Sequence, residues 1–119
     1  MADCCCGTEK TTLLYACSGA ADVGQLADKT VRRMSRDGVG KMTCIAAVGA
    51  GLSGFIESAK GASENITVDG CDQCCAKLNL ERIGVTPKSF ILTDMGLKKG
   101  ETTITDQLIR TVRQKIEAG

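Results

Sequence analysis

The stretch TVDGCDQCCAKLNLERIG carries Cys71, Cys74 and Cys75 within five residues, directly after an apolar run. Cysteine at this density can hold a soft metal ion as thiolate, cycle between dithiol and disulfide, or fill a core as a small apolar side chain. Residues 71–83 read as a helix stopped by Gly84. In its first turn, positions three and four apart share a face, so Cys71 can pair with Cys74 and with Cys75. Adjacent residues diverge by about 100° around the axis, so Cys74 and Cys75 do not serve one ion equally. A tetrahedral zinc with sulfur at about 2.3 Å is within reach of side chains one helical turn apart. The unpaired amides and the dipole of a helix start favour thiolate over thiol. Lys77 adds a cation if its side chain folds back, and Cys17 joins if a neighbouring strand ends beside the cluster.

The rest of the composition narrows the chemistry. The chain has 119 residues, eight cysteines and no histidine. That removes Cys–His nucleophile pairs, Ser–His–Asp triads and every zinc site that needs an imidazole. No apolar run approaches the ~20 residues of a membrane span. The segment MADCCCGTEK has no apolar stretch of the secretory kind. A cytoplasmic protein is expected, in which cysteines stay reduced and serve metal binding or catalysis. Residues 1–10 are expected to form a flexible tail, with Cys4, Cys5 and Cys6 either idle or extra soft ligands. The net charge is +1, without a basic block or acidic tail, so neither nucleic acid nor an anionic membrane is an expected partner. Aromatic residues are limited to Tyr15, Phe55 and Phe90, too few for a base-stacking platform.

Four apolar runs, 11–16, 41–48, 64–70 and 89–96, alternate with helical patterns at 21–36, 55–61, 71–83 and a long amphipathic C-terminal segment. In that last helix Ile104, Leu108, Val112 and Ile116 form one face, and Thr103 with Asp106 resembles a capping box. The alternation predicts, for residues 11–119, a single three-layer α/β domain, doubly wound around a four-stranded parallel sheet. Ligands in such folds sit beyond the carboxyl ends of the strands, where Cys17 and Cys71 fall. A strand order 2-1-3-4 would flank Cys17 with the other cysteine-bearing segments. A strand over 41–48 holds Cys44 inside it, as a core residue; an earlier end would bring Cys44 to the mouth. Asp69 and Asp94, also at predicted strand ends, read as caps or as groups orienting a site.

Two other chemistries are written in the chain. Cys71-Asp-Gln-Cys74 is a CxxC at an expected helix start, the placement of thiol–disulfide exchange. The run from Gly49 through Gly51 to Gly54 fits GxGxxG, and Asp69 lies about 20 residues on, as in dinucleotide-binding turns. A tight glycine turn explains the same residues without a ligand. A cysteine-phosphatase loop is disfavoured, since the position of its arginine is Lys77 after Cys71 and Val23 after Cys17.

Taken in order, CSGAADVGQLAD, GVGKMTC running into AAVGAGLSGFIESAK, VDGCDQCCAK and LTDMGLKKG resemble the DGC-domain family. The family's name is matched by Asp69-Gly70-Cys71. The resemblance implies a small bacterial or archaeal domain that binds Zn²⁺ through four cysteines. On this chain they are Cys17 in CSG, Cys44 in KMTC, Cys71 in DGC and Cys75 in CAK, with Cys74 an extra thiol. It implies no settled physiological role. A closed all-sulfur site is usually structural, which points to a binding protein rather than an enzyme and leaves sensing, storage and delivery open.

Overall fold

A computed structural model describes residues 10–119. The expectations for Cys4, Cys5 and Cys6 lie outside the described residues. The elements run β1 (Thr12–Ala16), α1 (Asp22–Arg36), β2 (Lys41–Met42), α2 (Ile45–Gly49), α3 (Ser53–Gly61), β3 (Glu64–Asp69), α4 (Cys75–Arg82), β4 (Lys88–Ile91) and α5 (Asp106–Ala118), with a 3₁₀ turn at Leu92–Met95. All strands are parallel and ordered β2-β1-β3-β4. This is the mixed α/β sheet and the strand order read from the sequence.

The period of two along β1 divides the core. Leu14 and Ala16 face α1 and α5, packing with Leu26, Val31, Ile109 and Val112. Leu13 and Tyr15 face the other layer, packing with Val48 of α2, Ala59 of α3 and Leu80 of α4. A fully buried Leu or Val contributes about 1.5–3 kcal/mol through removal of apolar surface from water. Since both faces of β1 and β3 are covered, their sequences are near-continuous apolar runs.

Four boundaries differ from the sequence expectation. β2 ends at Met42 rather than at residue 48. Thr43 N–H still donates to Leu14 O at 2.9 Å, and Cys44 then stands at the N-cap of α2. β2 is an edge strand with one partner, and IAAVG is a short apolar run that periodicity cannot assign. β4 gives way after Ile91 to the 3₁₀ turn, closed by Gly96 at φ 90°. α4 starts at Cys75, four residues later than expected, because Cys74 takes a left-handed conformation at φ 54°. At α5 the cap is Thr105, whose hydroxyl accepts from Leu108 N–H at 3.1 Å, and not Thr103.

The first turn of α1 is wedged between two backbone segments. A Cβ on Gly24 would lie 2.6 Å from Gly19 O, and one on Gly70 would lie 2.6 Å from the carbonyl carbon of Val23. Glycine is required at both positions by this close approach. The segments that follow β1 and β3 are therefore docked on one helix end. Among the described residues, no helix is long and apolar enough to cross a membrane.

Tyr15 is fully buried, and its hydroxyl donates to Asn65 Oδ1 at 2.7 Å while Asn65 Nδ2 donates to Ala59 O at 2.9 Å. The chain links β1, β3 and α3. Burial pushes the Tyr15 pKa up to about 12. A phenol with a raised folded pKa contributes stability that is complete below its unfolded value near ~10 and is lost as pH rises towards the folded value. Tyr15 is the sole tyrosine and there is no tryptophan, so absorbance at ~295 nm reports this group alone. The folded protein should titrate with a midpoint about two units above that in concentrated urea, and Tyr15→Phe should remove this part of the alkaline loss of stability.

Candidate metal centre

The four cysteines expected as ligands all lie just beyond strand ends at the carboxyl edge. Cys17 follows β1, Cys44 precedes α2 just after β2, Cys71 follows β3, and Cys75 opens α4. Leu14 pairs with both Met42 and Ile66, so the three strands are aligned in register before they reach this edge. The early end of β2 is what brings Cys44 here. All five described cysteines are unbridged: Cys17, Cys71 and Cys74 half-buried, Cys44 and Cys75 exposed.

Cys17 is the most constrained. Its N–H donates to Val68 O at 3.1 Å, and its Sγ accepts from Gly70 N–H at 3.4 Å. It also packs against both core layers. Cys17 and Cys44 line one open cleft of about 1040 Å³, together with Arg32, Arg36, Lys41 and Phe55. Cys71 lies on the far side of β1 from that cleft, in the turn closed by Cys74 N–H donating to Cys71 O at 3.2 Å.

All-sulfur donors suit a soft divalent ion, and the backbone delivers them to one edge. The side chains as placed do not converge: among the described residues no three of His, Cys, Asp or Glu are grouped so as to hold a metal ion. The donor set fits zinc in kind, and a shared ion requires these side chains to move together.

The expected role of helix starts in poising thiolates is corrected at α4. Asp69, which is buried, takes its leading amides: Oδ1 accepts from Ala76 N–H at 2.8 Å and Oδ2 from Lys77 N–H at 3.2 Å. Burial raises the Asp69 pKa, and those two amides and the Lys77 charge pull it back down. Asp69 thus acts as the cap of α4. The Cys74 thiol is pushed up by burial and by the Asp69 charge, which disfavours its thiolate. With Cys71 in a turn ahead of the helix, the CxxC lacks the helix-start placement that exchange chemistry uses.

The glycine run also has a different place. Residues 49–54 join α2 to α3, helix to helix, so no strand leads into the turn. A Cβ on Gly49 would lie 3.0 Å from Asn79 Oδ1, and Gly51 sits at φ 80°. Helix packing and a tight turn account for these glycines. Asp94 lies in the 3₁₀ turn rather than at a strand end.

Two residues of this edge went unread in the sequence. Lys99 Nζ stands 3.6 Å from Cys71 Sγ, and Asp22 holds the loop that carries Lys99. Their one sequence signal is Lys-Lys-Gly, a turn bearing cations, which says nothing of where the turn lands.

Fold, edge cysteines and motif order together define a small cysteine-bearing α/β domain, and the chain belongs to the DGC-domain family, whose sequence model matches residues 13–116. It is similar to the anaerobic and virulence modulator AnvM of Pseudomonas aeruginosa, with 38% identity over 88 residues, 73% of this chain and 67% of that protein. No solved structure matches the chain.

Asp69→Asn leaves one amide acceptor and removes the charge that caps α4. It should lower unfolding free energy by about 1–2 kcal/mol in urea titrations at neutral pH. An unchanged midpoint would mean that the carboxylate does not cap the helix.

Proposed function

We propose that this chain is a zinc-binding protein that holds one ion through the thiolates of Cys17, Cys44, Cys71 and Cys75, in a regulatory or metal-handling role. The observation that carries this reading is the delivery of four unbridged cysteines, from separate segments, to a single sheet edge. Membership of the DGC-domain family supports it. The relative's name, a modulator, supports regulation over catalysis. A bound zinc would act as a cross-link between the ends of β1, β2 and β3 and the start of α4, since four sulfurs leave no open position for water. Thiolates must stay reduced for this, so the reading includes a cytoplasmic setting and a metal ion as the partner.

Zinc binding by a site absent from the unfolded chain is folding free energy. Protein purified without added zinc should contain about one zinc per chain, and chelation should lower its melting temperature. Cys17→Ser and Cys71→Ser should remove most of the metal, whereas Cys74→Ser should retain it. Metal-free wild-type protein that gains no thermal stability from added zinc would overturn the proposal.

A further inference from the structure

We propose that Lys99 is a positioning residue at the Cys71 sulfur, its ammonium drawing anionic molecules to that sulfur in preference to neutral ones. This deepens the zinc reading, because four thiolates around a divalent cation leave a net charge of two minus that a nearby cation offsets.

The geometry has three parts. Lys99 Nζ is 3.6 Å from Cys71 Sγ, and among the described residues Lys99 forms no ion pair with a carboxylate. The lysine is carried by a built turn: Glu101 N–H and the Thr102 hydroxyl both donate to Lys98 O, at 3.1 and 2.6 Å, and Gly100 sits at φ 89°. That turn is fastened to α1 by Asp22, which accepts from Gly100 N–H and Thr102 N–H at 2.9 Å each and from its neighbour Val23 N–H at 2.7 Å.

The same turn of α1 abuts the backbone of Gly70, next to Cys71. Sulfur and ammonium are therefore placed from one anchor, and their separation is set by docked backbone as well as by a flexible side chain. Asp72, beside Cys71 in sequence, carries a charge opposite to that of Lys99.

The test compares iodoacetate, an anion, with neutral iodoacetamide on reduced, metal-free full-length protein. In both reactions the Cys71 thiolate attacks the methylene carbon and iodide leaves, so the ratio of the two rates is insensitive to the thiolate fraction. Tandem mass spectrometry resolves Cys71 from Cys74 and Cys75. The ratio at Cys71 should fall about threefold in Lys99→Gln and about tenfold in Lys99→Glu at low salt, and stay near wild type in Lys99→Arg. Asp22→Asn, which leaves Lys99 present but loosens its turn, should lower it as well. The ratio at Cys44 should not move.

Equal Cys71 ratios in wild type, Lys99→Gln and Lys99→Glu would overturn the inference, whether or not the protein binds zinc. A ratio that shifts as expected in a protein that takes up no zinc would uphold Lys99 and sink the zinc reading instead.

Discussion

The docking of the first turn of α1 between two strand ends is the constraint from which the carboxyl edge follows. Gly24 meets the backbone at Gly19 and Gly70 meets the backbone at Val23 at distances no side chain tolerates. Peptide planes in such contact leave little freedom for the segments that follow β1 and β3. Cys17 and Cys71 are carried by those segments, and the turn bearing Lys99 is tied to the same helix end through Asp22. One rigid contact thus positions two sulfurs and a cation. The remaining cysteines, Cys44 and Cys75, belong to helix starts on the opposite layer of the sheet, where no comparable wedge holds their side chains.

Charge at the edge is distributed by competition for amides. A buried carboxylate needs hydrogen-bond donors, and Asp69 obtains them from α4. Those donors are then closed to the neighbouring sulfurs, and the Asp69 charge acts against ionisation of Cys74. The contacts that do reach sulfur come from Gly70 N–H at Cys17 and from the Lys99 ammonium at Cys71. The family signature Asp69-Gly70-Cys71 is therefore three jobs in a row: helix cap, backbone contact and thiol.

The sheet was legible because its strands are short apolar runs separated by helical periodicities, and the order followed from grouping the cysteines at one edge. The boundaries were not. IAAVG satisfies strand and helix patterns alike, and only the edge position of β2, with one neighbour to pair with, lets the chain leave the sheet at Met42. The start of α4 was misplaced since spacing alone lets Cys71 share a helix face with Cys74 and with Cys75. The buried Asp69 reaches forward to Ala76 and Lys77, which fixes the start at Cys75 and makes Cys74 a left-handed hinge. The contact between Lys99 and Cys71 joins residues 28 apart through a loop conformation, information that no local pattern contains. Convergence of three donors, the strongest inference from spacing, is absent from the described side chains.

The brevity of β2 has a further consequence. Two paired residues at a sheet margin, followed by a five-residue helix, are joined to the body by few hydrogen bonds. Such a margin opens by fluctuations far smaller than those that unravel β1 and β3, which are covered on both sides. Cys44 rides on it. Any binding event that recruits this thiol would quieten that margin, and its signature would be local protection of amides long before any change in the centre of the sheet.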